Sequence, residues 1–435
     1  MSSLIVEGKH TLRGRVRISG SKNASLPLIA ASLLTDEPVI IEDVPCLQDV
    51  CIMKEIVSEM GMGVRTEKRN LYLDGSMINR FTASDLLINQ IRASILLLGP
   101  LLARFGKAKI SAPGGCSIGS RPVDLHWKGL SAMGVKFTQE NGYVEARSNR
   151  LIGAQIHLDF PSVGATENIM MAATLAKGET IIENAAQEPE VIALSGFLTA
   201  MGARISGAGT STIRIKGVNS LKGARYRVIP DRIEAGTYII AAALAGDGVV
   251  IENVLMDHLK ALTAKLEEAG VQVIESEPGK VTVNSPVSFK PVDIKTIPYP
   301  GFPTDLQPIF SSLMTQVSGV GIIKETVFEN RFRHMEGLTR MGADARVDGQ
   351  RLIIRGRRNL GGCQVRANDL RGAAALVLAA LVAKGKTEVQ EIHHLNRGYE
   401  ALEEKINQLG GKVYQNSLLK KHYGQNPCVK GFVTA

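Results

Sequence analysis

The chain has 435 residues, of which 51 are basic and 42 acidic, so its formal net charge is +9. At about 150 residues per domain, this length predicts two or three domains. Hydrophobic residues make up 44% and charged residues 21%, a composition typical of globular proteins, which excludes a disordered chain. Lys and Arg never run longer than pairs, so we expect no polybasic arm for nucleic acid or membranes.

The termini and cysteines indicate a cytoplasmic location. The first residues contain no apolar stretch typical of a signal peptide. The longest apolar run, Gly372–Ala383, is shorter than the roughly 18 residues that a membrane helix needs. The cysteines, at positions 46, 51, 116, 363 and 428, are odd in number and widely spread, which favours reduced thiols over a disulfide framework. No zinc-type spacing of Cys and His is present, so we expect no metal.

In chain order, the predicted elements form six repeats. Each repeat contains a helix rich in small apolar residues, and these helices are predicted to start at Lys22, Arg92, Thr166, Glu234, Asp305 and Arg371. Each repeat also has a glycine that ends a second helix, at Gly61, Gly134, Gly202, Gly270, Gly342 and Gly410. The intervals between these glycines are 73, 68, 68, 72 and 68 residues. Glycine directly after a helix predicts a left-handed C-cap.

Within a repeat, the pattern predicts strand–helix–strand–helix–strand–strand. The first helix is apolar nearly all round and therefore buried, whereas the second is amphipathic. Six such units cannot form a thin solenoid, because a wholly apolar helix must be surrounded on all sides. We therefore predict an α/β protein of two lobes, each with three repeats, buried helices inside and sheets outside. The boundary is expected near Arg227–Asp231, with the strand Leu12–Ser19 completing the second lobe.

Three predicted buried helices start with a basic residue, namely Lys22, Arg92 and Arg371. A cation at this end opposes the helix dipole, whereas the free N–H groups there attract anions. We therefore expect a bound anion near these helix starts, although ordinary surface charge is the alternative.

The segment PGGCSIGSRPVDLH, residues 113–126, presents Cys116 between glycines, with Arg121 close behind. Glycine-rich loops commonly present reactive groups, and a nearby guanidinium lowers the pKa of a thiol. The alternative is a buried structural cysteine, which is the expectation for Cys46, Cys51 and Cys363. Cys428 lies in a polar tail and is expected to be incidental.

Asp305 lies in the proline-rich segment YPGFPTDLQP, residues 299–308. Its position at a predicted helix start is compatible with a rigidly held general base, and equally with a plain helix cap. Arg397, in HHLNRGYEAL, precedes the last predicted helix and is either a ligand contact or a solvated arginine.

Six segments together resemble the UDP-N-acetylglucosamine 1-carboxyvinyltransferase family of enolpyruvyl transferases. They are GSKNASLPL at 20–28, PGGCSIGSRPVDLH at 113–126, SVGAT at 162–166, YPGFPTDLQ at 299–307, DLRGAAALVLA at 369–379 and NRGYE at 396–400. The resemblance runs in one register from about residue 4 to residue 415 and implies the family's fold, the two-lobed inverse α/β barrel of six repeats. It implies one lobe of residues 22–229 and a second of residues 1–21 plus 230–435.

The resemblance also implies roles for individual residues. Lys22 and Asn23 match positions that hold phosphoenolpyruvate and orient the sugar hydroxyl, and Cys116 matches the proton donor. Positions that match nucleotide-sugar contacts are Arg92, Arg121, Pro122, Val123, Asp124, Leu125, Ser162, Val163, Gly164, Asp305 and Val327. Positions that match the cationic set around the enolpyruvate phosphate and carboxylate are Arg121, Arg331, Arg371 and Arg397.

The implied reaction transfers enolpyruvyl from phosphoenolpyruvate to the 3-hydroxyl of UDP-N-acetylglucosamine and releases phosphate, as a step of peptidoglycan synthesis. No metal or organic cofactor is implied, and the expected partners are the two small substrates, with no nucleic acid or membrane. The family's Cys116 position is the target of fosfomycin. Two departures stand out: Phe160 occupies a position where some members have lysine, and the tail after about residue 417 matches nothing in the family.

Three alternatives remain at this stage. An enolpyruvyl transferase acting on shikimate 3-phosphate has the same fold but lacks the glycine-flanked cysteine loop. An RNA 3′-phosphate cyclase is built from related repeats but needs a nucleophilic histidine, and His393 and His394 have no glycine-rich context. A non-enzymatic regulator would be expected to have lost Cys116, Lys22 or Asp305.

Overall fold

The computed structural model describes residues 3–111, 123–140, 142–356 and 359–416. Contacts between Cα atoms divide these residues into two compact units. Unit A contains residues 20–229 of the described ranges, and unit B contains residues 3–19 and 230–416. Each unit has its own hydrophobic core.

The elements of four repeats follow the predicted order; the second repeat has the short helix Asp85–Ile88 in place of an opening strand, and in the sixth the N-terminal strand Ser3–Glu7 takes the place of one closing strand. Two strands of unit B come first, β1 (Ser3–Glu7) and β2 (Arg15–Arg17). Unit A continues with α1 (Lys22–Ala31), β3 (Val39–Glu42), α2 (Gln48–Glu59), β4 (Gly63–Glu67), β5 (Asn70–Asp74), α3 (Asp85–Ile88), α4 (Leu98–Phe105), β6 (Lys107–Ser111), α5 (Asp124–Ala132), β7 (Lys136–Glu140), β8 (Tyr143–Arg147), β9 (Gln155–His157), α6 (Val163–Ala173), β10 (Glu179–Glu183), α7 (Pro189–Ala200), β11 (Arg204–Ser206), β12 (Thr212–Lys216) and β13 (Arg225–Arg227).

Unit B resumes with α8 (Arg232–Ala245), β14 (Val249–Glu252), α9 (Lys260–Glu268), β15 (Val273–Glu277), β16 (Lys280–Val283), β17 (Ile294–Lys295), α10 (Gln307–Met314), β18 (Val320–Lys324), α11 (His334–Arg340), β19 (Asp344–Asp348), β20 (Arg351–Arg355), β21 (Gln364–Arg366), α12 (Leu370–Val382), β22 (Lys386–Gln390), α13 (Leu402–Gln408) and β23 (Lys412–Gln415). Short 3-10 helices precede four of the described α-helices: Arg92–Leu97 before α4, Met256–Leu259 before α9, Thr304–Leu306 before α10 and Ile392–Arg397 before α13.

Each repeat contributes one small sheet. The strand after the buried helix lies antiparallel to one strand of a hairpin, as β10 does to β12. Five of the six described sheets also have an edge strand that pairs in parallel, as β9 does with β10. Two edge strands belong to the sheet of a different repeat from the one whose buried helix they precede. β2 precedes α1 but pairs in parallel with β14, and β13 precedes α8 but pairs in parallel with β3. β1 pairs with both β22 and β23, so the N-terminal strand completes the sheet of the sixth repeat, which lies in unit B.

The first helices of the repeats form the interiors. In unit B, α8, α10 and α12 pack against one another, and in unit A α4 packs against α6. Their side chains are buried nearly all round, as the apolar sequences predict, with small residues such as Ala373, Ala374 and Ala375 completely buried in α12. Alanine side chains are small, so the axes of neighbouring helices can approach one another closely. The prediction of buried helices inside and sheets outside is confirmed within each unit.

The six glycines that were predicted to end helices all have left-handed backbones. Their φ angles are 98° at Gly61, 93° at Gly134, 103° at Gly202, 89° at Gly270, 100° at Gly342 and 91° at Gly410. A side chain is strained in this region, so glycine ends each amphipathic helix without cost. This prediction is confirmed at every repeat.

The predicted starts of four buried helices differ from the structure, two in position and two in the type of helix. α6 begins at Val163 rather than Thr166, and α8 begins at Arg232 rather than Glu234, because the side chains of Ser162 and Asp231 accept backbone N–H groups and start the helices earlier. The other two helices, expected from residues 92 and 305, begin as 3-10 turns before α4 and α10.

The cysteines differ from the expectation at one position. Cys46 and Cys363 are not disulfide-bonded, as expected. Cys51, which is buried in α2, is disulfide-bonded, so the expectation of an entirely reduced set is wrong there. Cys116 and Cys428 lie outside the described residues, as does the tail from residue 417. None of the helices described is long and apolar enough to cross a membrane.

Candidate active site

Asp305 of unit B is held between two buried arginines. Arg331 Nη2 donates to Asp305 Oδ1 at 2.7 Å, and Arg371 donates to Oδ2 through Nε at 3.2 Å and through Nη2 at 3.0 Å. Both arginines are only 3% exposed, whereas the Asp305 side chain is 27% exposed. The partly exposed carboxylate therefore lies against two buried guanidinium groups, which concentrate positive charge beside it.

Arg371 is fixed by the start of its own helix. The Asp369 side chain caps α12, because its Oδ1 accepts the N–H groups of Arg371 and Gly372, each at 3.0 Å. Burial alone would lower the pKa of Arg371, but Tyr399 and Asp305 beside it raise the pKa above its usual value, so the side chain stays charged. A bound anion was expected to explain this cation at a helix start. In the structure, the guanidinium of Arg371 donates to the carboxylate of Asp305, and the anion stays a prediction.

Glu325 is a positioning residue that the sequence did not reveal. It is 1% exposed, and its carboxylate accepts hydrogen bonds from the hydroxyls of Thr296 and Thr304, at 2.7 and 2.9 Å. It also accepts the N–H groups of Val327 and Phe328 at 2.8 and 3.2 Å. One buried acid thus ties the loop of Val327, a predicted sugar contact, to the turn that carries Asp305. No local pattern distinguishes Glu325 from the other acids that follow strands.

In unit A, Lys22 is the first residue of α1 and pairs with a carboxylate of the next helix. Its Nζ lies 2.6 Å from Asp49 Oδ2, and the two side chains are 12% and 5% exposed. Ser21 caps α1 by accepting the N–H of Ala24 at 3.3 Å. Asn23 follows on the same helix and is half-buried. The cation at this helix start therefore also has a protein partner.

The predicted sugar contacts Ser162, Val163 and Gly164 form the start of α6. Ser162 is the N-cap, and its side chain accepts the N–H of Ala165 at 3.4 Å. Nearby, Phe160 is 44% exposed, and Asp159 pairs with Lys128 of α5 at 2.8 Å. Where some family members have a lysine, this chain therefore presents an exposed aromatic ring.

The other predicted residues lie at element ends. Val123 precedes α5, and Asp124 and Leu125 are its first residues. Arg92 begins the 3-10 helix before α4, and Arg397 ends the one before α13; both are half-buried. Cys116, Arg121 and Pro122 lie outside the described residues. Within the described part of the chain, no group of three or more His, Cys, Asp or Glu side chains could hold a metal ion.

Comparison with known proteins gives close relatives over nearly the whole chain. UDP-N-acetylglucosamine 1-carboxyvinyltransferase 1 of Caldanaerobacter subterraneus subsp. tengcongensis is 52% identical over 414 residues, which cover 95% of this chain and 99% of the relative. The enzyme of the same name from Halothermothrix orenii is 50% identical over 413 residues, covering 95% and 99%. The family model described as EPSP synthase (3-phosphoshikimate 1-carboxyvinyltransferase) matches residues 6–406. The chain belongs to the enolpyruvyl transferase family.

Solved structures of enolpyruvyl transferases have the same fold. The enolpyruvyl transferase NikO from Streptomyces tendae superposes with a TM-score of 0.88 at 28% identity, covering 95% of this chain and 99% of that one. EPSP synthase from Acinetobacter baumannii superposes with a TM-score of 0.76 at 20% identity, covering 96% and 100%. The repeats predicted an α/β protein of two lobes, and the resemblance implied the two-lobed inverse α/β barrel of this family; this fold class is confirmed.

Proposed function

We propose that this enolpyruvyl transferase transfers the enolpyruvyl group of phosphoenolpyruvate to the 3-hydroxyl of UDP-N-acetylglucosamine and releases phosphate, as the first committed step of bacterial peptidoglycan synthesis. Units A and B are then the two lobes of the fold. The observation that carries the proposal is identity of 50% or more, over 95% of the chain, to relatives named for this activity. We further propose a cytoplasmic location, with which the family of these relatives is consistent.

The chemistry is an addition followed by an elimination. The sugar hydroxyl attacks C2 of phosphoenolpyruvate while C3 takes a proton; the C2–O bond to phosphate then breaks, and C3 gives a proton back. Asp305 is proposed as the base that accepts the hydroxyl proton, and its exposed edge in front of Arg331 and Arg371 supports that role. Those arginines would balance the charge that develops on the substrate.

The remaining roles follow the sequence motifs. Lys22, Arg121 and Arg397 are proposed to bind the phosphate and carboxylate of phosphoenolpyruvate, and Asn23 to orient the hydroxyl. Arg92, the segment from Arg121 to Leu125, the start of α6 at Ser162–Gly164, and Val327 are proposed to contact the nucleotide sugar. Cys116 is proposed as the acid that protonates C3.

A phosphate-release assay tests the proposal against its main alternative. Purified protein is given phosphoenolpyruvate with either UDP-N-acetylglucosamine or shikimate 3-phosphate. We expect phosphate release with the nucleotide sugar alone. Release with shikimate 3-phosphate instead would favour the activity in the name of the matching family model, and release with neither would contradict transferase activity.

Fosfomycin tests the assignment of Cys116 separately. A thiol near cations is the chain's most reactive nucleophile, because neighbouring positive charge stabilises the thiolate. We expect time-dependent inactivation, faster with UDP-N-acetylglucosamine present, and an adduct on Cys116 in peptide mass mapping. Cys116→Asp should stay active but resist the drug. An adduct on Cys46 or Cys363, with Cys116 unmodified, would overturn the assignment.

A further inference from the structure

Tyr399, in the motif NRGYE at 396–400, is buried against the site residue Arg371 of unit B. Its side chain is only 2% exposed, and the centre of its ring lies 5.2 Å from the guanidinium carbon of Arg371. Gly398 permits this approach, because a Cβ there would lie 2.6 Å from Cδ2 of Leu370, the residue before Arg371. The proposed function gives this tyrosine no role.

A threonine of α8 fixes the direction in which the Tyr399 hydroxyl donates. Thr237 Oγ1 lies 2.7 Å from the carbonyl oxygen of Ile233, which can only accept, so the hydroxyl hydrogen of Thr237 lies between these two oxygens. The hydroxyl oxygen of Tyr399 lies 2.9 Å from the same Oγ1. Because Thr237 has no second hydrogen to offer, Tyr399 donates and Thr237 accepts. The lone pairs of the Tyr399 oxygen are therefore left to face another group.

Arg371 supplies a group of the opposite charge. Its Nε and Nη2 donate to Asp305 Oδ2, at 3.2 and 3.0 Å. Its Nη1 is buried, and no described atom accepts a hydrogen bond of good geometry from it. Burial raises the pKa of Tyr399, and the positive charge of Arg371 is the largest opposing cause. The phenol and the cation are thus close enough to interact.

We infer that Tyr399 is a positioning residue for Arg371. Its ring supports the guanidinium, and its oxygen, held by Thr237, turns its lone pairs to the cation. A guanidinium is planar, so holding one part of it fixes the direction of the edge that faces Asp305. The inference rests on the proposed function, in which Asp305 accepts the proton of the sugar hydroxyl. Tyr399 acts only through Arg371 and is not itself a catalytic residue.

Tyr238, the residue after Thr237 in α8, is a matched control. It is also 2% exposed, and its ring also lies near a cation, 6.0 Å from Lys405 Nζ. Its hydroxyl differs, because it has no hydrogen-bond partner among the described residues. Tyr238→Phe therefore removes the same atom from an equally buried ring of the same unit, without breaking a contact to the site.

Three further substitutions test the chain of contacts. Tyr399→Phe keeps the ring and removes the hydroxyl. Thr237→Val keeps the shape of the side chain but removes the acceptor that orients that hydroxyl, whereas Thr237→Ser keeps the acceptor. Thermal unfolding first verifies that each variant is folded at the assay temperature, so that a loss of stability is not read as a loss of turnover.

Phosphate release from phosphoenolpyruvate with UDP-N-acetylglucosamine is the assay. We expect Tyr399→Phe to lower turnover about tenfold, as for loss of a hydrogen-bonding contact to a charged group, with KM for the nucleotide sugar changed less than about threefold. Thr237→Val should lower turnover by about the same factor, and the double variant should lose no more than either single one, because both act through one chain of contacts. Tyr238→Phe and Thr237→Ser should stay within about threefold of the unmodified protein.

Three results would overturn the inference. They are normal turnover in Tyr399→Phe, an equal loss in Tyr238→Phe, and equal losses in the two Thr237 variants. A merely structural role would lower Tm and leave the turnover of the folded protein unchanged. If Tyr399→Phe does not fold, the comparison of Thr237→Val with Thr237→Ser decides alone.

Nitrogen-15 NMR of arginine side chains needs no substrate and keeps this inference apart from the proposed function. We expect slow rotation of the Arg371 guanidinium in the unmodified protein, its resonance being assigned by its loss in Arg371→Lys. Rotation should become faster in Tyr399→Phe and stay slow in Tyr238→Phe. Equally slow rotation in Tyr399→Phe would overturn the inference. Slow rotation in an unmodified protein that releases no phosphate would contradict the proposed function and leave the positioning of Arg371 standing.

Discussion

The two units hold their charged site residues in different ways. In unit B, Asp305 is bonded to Arg331 and Arg371, two side chains almost completely buried. In unit A, Lys22 pairs with Asp49, and the start of α6 offers neutral backbone donors. Charge concentrated in unit B suits a step in which protons move and charge develops. The backbone N–H groups at the start of α6 are neutral, so they offer hydrogen bonds without added charge.

The difference has an energetic consequence. Removing one member of a buried ion pair leaves its partner charged and without compensation, which typically costs about 3–5 kcal/mol. Removing a neutral donor from a partly open surface leaves nothing charged behind and mainly weakens ligand binding. Substitutions in unit B should therefore lower both the free energy of unfolding and turnover. Substitutions of neutral donors in unit A should weaken ligand binding with little loss of stability.

The largest effect is expected for Asp305→Ala. Turnover in the phosphate-release assay should fall by about 10²–10⁴-fold, as for loss of a general base. The free energy of unfolding should fall by about 3 kcal/mol, because Arg331 and Arg371 lose the carboxylate between them. Asp305→Asn keeps the shape and an acceptor, so it should retain more stability but no more turnover. A rise in KM with normal turnover would make Asp305 a binding residue.

Glu325→Gln should give an intermediate effect. The amide that replaces the carboxylate has only one acceptor oxygen for the four donors that Glu325 now satisfies. We expect about 1–3 kcal/mol less stability in urea unfolding. KM for UDP-N-acetylglucosamine should rise more than turnover falls, since the Val327 loop loses its anchor. The exposed Glu336→Gln is the control, and an equal effect in both would contradict the positioning role.

Substitution of one helix-capping residue in each unit compares the units directly, with a smaller expected loss of stability. Asp369 caps α12 of unit B through two hydrogen bonds of 3.0 Å, whereas Ser162 caps α6 of unit A through one of 3.4 Å. Asp369→Ala should lower the free energy of unfolding by about 2 kcal/mol and Ser162→Ala by about 0.5–1 kcal/mol. Urea unfolding of both variants measures this. Equal losses would show that cap geometry does not distinguish the two helices.

The smallest effect concerns Glu167, which is 3% exposed in α6. Burial, with Glu190 and Glu188 nearby, raises its pKa well above the usual 4.5. The folded state therefore keeps a proton that the unfolded chain releases, so this group's contribution to stability falls as pH rises above about 4.5 towards the folded pKa. Glu167→Gln should remove that slope and raise Tm at pH 8 by about 2 °C or more.

Glu234 in unit B is the comparison for Glu167. Burial also raises its pKa, but Lys405 donates to it at 2.5 Å and opposes the rise. Glu234→Gln should therefore lower Tm, because the ammonium of Lys405 loses its carboxylate. If both substitutions shift Tm in the same direction at pH 8, the neighbouring cation does not account for the difference expected between Glu167 and Glu234.

Much of the fold follows from local patterns in the sequence. Six repeats with buried first helices were predicted from the interval of about 70 residues, the apolar helices and the closing glycines. These features can be predicted because a buried helix and a left-handed cap each require particular residue types within a few positions of the chain. The motifs predicted the family. Helix starts were less accurate, because Ser162 and Asp231 begin helices ahead of the apolar residues.

Only the tertiary structure decided which residues meet. Asp305 lies 26 residues from Arg331 and 66 from Arg371, Thr237 lies 162 from Tyr399, and the edge strands β2 and β13 pair far from their neighbours in sequence. Nothing local distinguishes Glu325 from other acids, or Tyr399 from an ordinary core tyrosine. Composition and periodicity indicate whether a residue is buried, because the pattern of apolar residues around it in the sequence reflects burial. The partner of a buried polar group is set by how separate repeats pack, and a single sequence does not record it.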